Sequence, residues 1–162
     1  MENNIIKLIR NKDIEGVRKA IEEGVDVNIQ NKDGYTALMI ASERGYFEIV
    51  KLLIEKKAKL DIQNEYGCTA LKFASIYNWI DIAEFLIEKK AKLDIQNEYG
   101  WTLLMEAIYY GRRNKLIKSL LKGGADKDIK NNEGETALDF AKARGNQEIV
   151  ELLTTKNYNN EK

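Results

Sequence analysis

Without a single histidine, the chain has no route to imidazole-based acid–base or triad chemistry. Its one cysteine, Cys68, cannot complete a typical structural zinc site and excludes an intrachain disulfide framework. Nothing beside Cys68 in sequence would lower its pKa strongly, so it reads as an inert surface thiol. Neither form of glycine-rich phosphate loop is present. Asp126, Asp128 and Lys130 ahead of Gly134 look at first like an acidic calcium loop. A lysine at a ligand position and a misplaced glycine argue instead for a turn with solvated charges. Carboxylate pairs such as Glu22–Glu23 read as solubilising groups on helix surfaces. The remaining chemistry is that of recognition.

Two residue types could carry recognition. Lys56, Lys57 and Lys59 return as Lys89, Lys90 and Lys92, with Lys122 and Lys127 further on. Lysines gather at helix C-termini, where the macrodipole favours cations, and this explains the pattern without a ligand. The aromatic residues are harder to dismiss. Tyr35, Tyr66, Tyr99 and Trp101 flank glycines at turn signals, while Tyr77, Tyr109 and Tyr110 end short helical segments. Tyrosine and tryptophan are over-represented among the residues that dominate binding energy.

The elements that must position these side chains are set by a repeat. LIEKKAKLDIQNEYG runs from Leu53 to Gly67 and returns unchanged from Leu86 to Gly100, an offset of 33 residues. Gly34, Gly67, Gly100 and Gly134 are each followed two residues later by Thr36, Thr69, Thr102 and Thr136. TALMIA, TALKFA, TLLMEA and TALDFA follow, and then IVKLLI, IAEFLI, LIKSLL and IVELLT. Identity at a fixed period of this length marks a stack of copied units.

Each unit reads as turn, short helix, break and longer helix. Thr36 caps a helix to about Arg44, Gly45 breaks the chain, and a second helix runs from about Phe47 to Lys56. Ile49, Val50, Leu52, Leu53 and Ile54 are too apolar for a one-sided surface helix, so it must be packed on more than one side. Leu38, Leu71, Leu104 and Leu138 should be buried, as should Ala41, Ala74, Ala107 and Ala141. Asn78 replaces Gly45 in the next unit and tolerates left-handed φ. Lys57 and Lys90 occupy the helix-closing slot of Gly24 and Gly124, which predicts positive φ at both lysines. GRRNKLI carries one inserted residue relative to GYFEIV. The expected organisation is a single domain over 1–162. It comprises a capping unit (3–32), full units (33–65, 66–98 and 99–132), a last helix pair (133–154) and a frayed tail (155–162). In the capping unit Ile5, Leu8 and Ile9 face inward, and Asn3, Asn4, Lys7 and Arg10 give the polar outer face that an end unit needs.

The glycine–x–Thr–Ala–Leu pattern, the mid-unit glycine, the I-V-x-L-L helix and Gly124-Ala125-Asp126 together resemble the ankyrin repeat, over nearly the whole chain. The resemblance implies an all-α repeat solenoid, helix pairs joined by β-hairpin or turn loops. The family's Thr-Pro-Leu-His is altered. Ala37, Ala70, Leu103 and Ala137 stand at the proline, and Met39, Lys72, Met105 and Asp139 at the histidine. The missing prolines should cost helix-start rigidity, and the histidine's hydrogen bonds should be lost. The resemblance also implies protein binding through the hairpin tips and first-helix face on a concave side. Family members act in many settings, including bacterial proteins delivered into host cells.

In that register Tyr35, Tyr66, Tyr77, Tyr99, Trp101, Tyr109 and Tyr110 occupy slots that the fold leaves exposed. Tyr66 and Tyr99 lie in the copied segment, so copying alone accounts for those two; the others differ between units. The expected function is a non-catalytic, monomeric protein-binding module that uses these residues, with no cofactor and no metal. An inhibitor or regulatory subunit that occludes an enzyme's site is the alternative. Lys+Arg and Asp+Glu number 26 each, so no basic excess favours nucleic acid. No apolar run of about 18 residues suggests a membrane span. The first residues, MENNIIKLIRNKD, lack a cleavable leader pattern. A cytoplasmic setting follows, although secretion by an unconventional route would leave no mark.

Overall fold

The computed structural model describes residues 4–112 and 114–155. Among these the chain forms ten helices and no strand. In order they are α1 (Asn4–Arg10), α2 (Ile14–Glu22), α3 (Ala37–Arg44), α4 (Phe47–Glu55), α5 (Ala70–Ile76), α6 (Ile80–Glu88), α7 (Leu103–Tyr109), α8 (Asn114–Gly123), α9 (Ala137–Ala143) and α10 (Gln147–Thr154). The chain divides into two compact units, residues 1–86 and 87–162, the boundary falling within α6. Asn3, Arg113 and most of the expected tail (156–162) lie outside the described residues.

In the first unit α3 packs between α1 and α5, and α2 lies against α4. Neighbour-to-neighbour packing of this kind is what a repeat array needs. Ile49, Val50, Leu52 and Leu53 of α4 are buried, which accounts for its apolar composition; each fully buried aliphatic side chain contributes about 1.5–3 kcal/mol. In α1 the inward residues are Ile5, Ile6 and Ile9. Ile6 thus takes a core place that the helical spacing gave to Leu8, which is only half-buried. In the second unit α7 packs on α8 and α9, and α9 on α10. Polar contacts join α8 to α10. Glu148 takes the Lys118 ammonium at 2.6 Å and an amide hydrogen of Asn114, which together hold its pKa below the usual carboxylate value.

Leu38, Leu71 and Leu104 are buried, as are Ala41, Ala74, Ala107 and Ala141. Leu138 departs from the expected pattern and is half-buried. Leu38 and Leu104 lie on first helices that pack against a following one, α5 and α9, whereas α9 is the last first helix among the described residues.

The first helices α3, α5, α7 and α9 are each preceded by a threonine in extended conformation. Thr36, Thr69 and Thr102 accept the amide hydrogens of Met39, Lys72 and Met105, satisfying a donor that the first turn leaves unpaired. In the last unit the polarity reverses. The Asp139 carboxylate accepts from both the amide (2.8 Å) and the hydroxyl (2.7 Å) of Thr136. The sulfur of Met39 likewise accepts the Thr36 amide at 3.4 Å. An acceptor therefore stands at the altered histidine position in two units, which corrects the expectation that its hydrogen bonds are lost.

Lys57 (φ 64°) and Lys90 (φ 70°) are left-handed, matching Gly24 (φ 92°) and Gly124 (φ 97°) in the other units. Asn78 (φ 60°) matches Gly45 (φ 73°), and Lys12 (φ 56°) fills the same break in the first unit without a signal that sequence reasoning noticed.

Candidate functional site

The connections between units are not strand-paired hairpins among the described residues. They are turns closed by asparagine. Asn31, Asn64, Asn97 and Asn131 each donate a backbone amide to the carbonyl four residues on, from Tyr35, Cys68, Trp101 and Glu135. Each side-chain oxygen takes two further amides, two and four residues on. An asparagine that takes two of the loop's amides keeps them from a ladder, which leaves single backbone bonds between neighbouring loops, Glu65 to Asp33 and Asn132 to Tyr99. These four asparagines recur at the repeat spacing and were the missed sequence signal.

The turns aim the aromatic residues. In the first unit Tyr66, at a turn tip, is 72% exposed, and Tyr77, at the end of α5, is 50% exposed. Tyr35 is half-buried, its ring 5.3 Å from that of Phe73. Glu43 lies among them. Tyr77 donates its hydroxyl to the Glu43 carboxylate at 3.1 Å, and Trp79 donates its indole N–H to the Glu43 backbone carbonyl at 3.0 Å. The hydrogen bond to Glu43 and then its charge raise the Tyr77 pKa, as does burial, against a lowering by Arg44. Burial is the main cause of a raised Tyr35 pKa, followed by Glu43, Cys68, Tyr66 and Tyr77. The Trp79 ring lies directly on Gly45, where a Cβ would come within 2.5 Å of it.

In the second unit the rings pack on one another. Trp101 meets Phe140 edge-on at 4.8 Å and Tyr109 at 4.8 Å, and Tyr109 meets Tyr110 at 5.1 Å. Tyr99 lies 6.4 Å from Trp101. Edge-to-face pairs at these separations add about 0.5–1.5 kcal/mol beyond burial. Arg112 lies 5.8 Å from the Tyr110 ring centre. Tyr99, Tyr109 and Tyr110 are exposed, whereas Trp101 is half-buried.

The seven predicted residues therefore fall into two groups, Tyr35, Tyr66 and Tyr77 in one unit and Tyr99, Trp101, Tyr109 and Tyr110 in the other. Five are exposed. Tyr35 and Trp101 are not, contrary to expectation, because each lies against the phenylalanine of the next first helix. Sequence reasoning missed Glu43, Trp79, Phe73 and Phe140, whose roles rest on contacts across a repeat.

Other candidate groups serve the fold. Asp126 accepts from the amide of Asp128, and Asp94 from that of Asp126, each at 2.9 Å. Among the described residues no group of three or more His, Cys, Asp or Glu could hold a metal ion, and no helix is long and apolar enough to cross a membrane. Lys127 donates to the Leu153 carbonyl, and Lys89 pairs with Glu88 at 3.4 Å.

A model of ankyrin repeats in three copies matches residues 5–97 and 90–162. An ankyrin repeat protein of fowlpox virus (strain NVSL), FPV222, is 41% identical over 51 residues, a match covering 32% of this chain and 7% of that relative's length. With the family model spanning nearly every residue of the recurring helix pairs, their threonine caps and their turn glycines, the chain belongs to the ankyrin-repeat family.

Proposed function

We propose that the chain is a non-catalytic, monomeric module that binds a protein partner through its exposed aromatic faces. Ankyrin repeats are in general protein–protein interaction modules, and this supports the class of function. The observation that carries the assignment is that Tyr66, Tyr77, Tyr99, Tyr109 and Tyr110 are 45–72% exposed on turns and helix ends. Large aromatic side chains left in water at recurring positions are costly for solubility and valuable in an interface, where few rotors have to be frozen. The balanced charge supports a protein surface over a phosphate backbone. An interface of ordinary size would bury about 800 Å² on this side.

The test is site-specific photo-crosslinking with benzoylphenylalanine in cells that express the chain. Residues 66 and 110 should yield a discrete adduct with a partner protein, and residues 51 and 118, on the second helices, should not. Equal yields at all four positions, or none at 66 and 110, would overturn the assignment.

A further inference from the structure

Building on that protein-binding reading, we infer that the face formed by Glu43, Tyr66, Tyr77 and Trp79 takes an arginine side chain of the partner. Charge complementarity selects the cation. The Glu43 carboxylate is half-buried and held in place by one phenol, at 3.1 Å from Tyr77. A carboxylate has about four acceptor sites, so most of its capacity is unused by that bond. No cationic side chain forms an ion pair with Glu43 among the described residues. Tyr77 (50% exposed) and Trp79 (40%) bond to Glu43, and Tyr66 (72%) reaches the same face through Tyr35, whose hydroxyl feels both Glu43 and Tyr66. Aromatic faces attract cations, and a planar guanidinium can stack on a ring while its fork engages a carboxylate. The indole is fixed beforehand, by its bond to the Glu43 carbonyl and by its contact with Gly45.

One repeat earlier a lysine stands over the equivalent ring, whereas here the nearby cation, Arg44, lowers the Tyr77 pKa without forming an ion pair with Glu43. The earlier ring, at the place of Trp79, is Tyr46, and Lys12 holds its ammonium 5.4 Å from it. The place of Lys12 is taken at Trp79 by Gly45, which brings no charge. In the second unit the place of Glu43 is held by Tyr109, and Arg112 already lies over Tyr110. The second face thus has neither the carboxylate nor an unclaimed need for a cation, and the inference is confined to the first.

The two tryptophans, one in each unit, make the test direct. The ¹⁵N-labelled full chain would be titrated with acetylated, amidated hexa-arginine and, separately, with hexaglutamate. Indole signals are assigned through Trp79→Phe. Hexa-arginine should shift the Trp79 indole and leave that of Trp101 in place, and hexaglutamate should shift neither. Glu43→Gln keeps the shape and an acceptor for Tyr77, and should weaken the peptide at least fivefold. Tyr66→Ala, at a turn tip, should weaken it at least threefold. Undiminished binding in both variants, or a response at Trp101 instead of Trp79, would overturn the inference. No response to hexa-arginine while residue 66 still crosslinks to a partner would overturn the arginine assignment and leave protein binding standing. Loss of both would sink the two readings together.

Discussion

Two faces built on the same repeat reach order by different means. Both begin alike, with the residue between the turn glycine and the capping threonine laid against a phenylalanine of the next first helix: Tyr35 on Phe73, Trp101 on Phe140. In the first unit a carboxylate then organises the rings, through Glu43. In the second the rings organise one another, from Tyr99 through Trp101 and Tyr109 to Tyr110. A repeat fixes where side chains stand. Which chemistry forms there depends on a few positions that the repeat leaves free to vary.

The largest effect is expected where ring packing is the support. Trp101→Ala removes contacts with Phe140 and Tyr109 and should lower stability by about 3 kcal/mol in urea unfolding. Tyr110→Ala, at a 60% exposed site, should change it by about 0.5 kcal/mol or less. Equal losses would mean that the second face does not depend on Trp101.

Gly45 and Gly145 share a register position and sharpen the contrast. Both have positive φ, but a Cβ at Gly45 would meet the Trp79 ring at 2.5 Å and one at Gly145 would meet nothing within 4 Å. Gly45→Ala should cost about 2 kcal/mol or more, strain plus displacement of the indole. Gly145→Ala should cost about 1 kcal/mol, from strain alone. Thermal melts that rank the two the other way would contradict the placement of Trp79.

The turn asparagines differ in a way that predicts a stabilising change. The amide nitrogen of Asn97 donates to Glu106 and that of Asn131 to Glu135, each at 2.9 Å. That of Asn64 is buried without a partner. Phe73 holds the place of Glu106, and Cys68 that of Glu135. Cys68→Glu should supply the missing carboxylate and stabilise the protein by about 1 kcal/mol. An unchanged denaturation midpoint would show that a carboxylate at 68 cannot reach.

Lys57 and Lys90, one in each unit, hold the helix-closing slot at positive φ. Lys57→Gly and Lys90→Gly should each be neutral to stabilising, by up to about 1 kcal/mol, since glycine adopts positive φ without strain. A loss from either change would mean that its lysine side chain contributes more than its backbone costs.

The smallest effect is electrostatic. The Asp139 pKa is lowered, first by the Thr136 amide and then by its hydroxyl. A folded pKa below the unfolded one gives stability that is present above the unfolded value and lost as pH falls through the folded value. Asp139→Asn should therefore lower stability at neutral pH and flatten its fall in acid. An acid transition identical to that of the parent chain would remove Asp139 from the account.

The sequence by itself determined the repeat, its phase, the helix pairs and the positive φ of Lys57 and Lys90. Each follows from local chemistry read four times over: a capping threonine, a buried leucine and alanine, a residue that must close a helix. It also located the seven aromatic residues, though not what each touches. Tertiary structure decided that Trp101 and Tyr35 lean on phenylalanines more than thirty positions away, that Glu43 bonds to Tyr77 and Trp79, and that Asn64 lacks the carboxylate that Asn97 and Asn131 have. The contacts of Trp101, Tyr35 and Glu43 join successive repeats. A residue's burial there is set by which side chain the neighbouring copy presents, and periodicity within one copy carries no record of that.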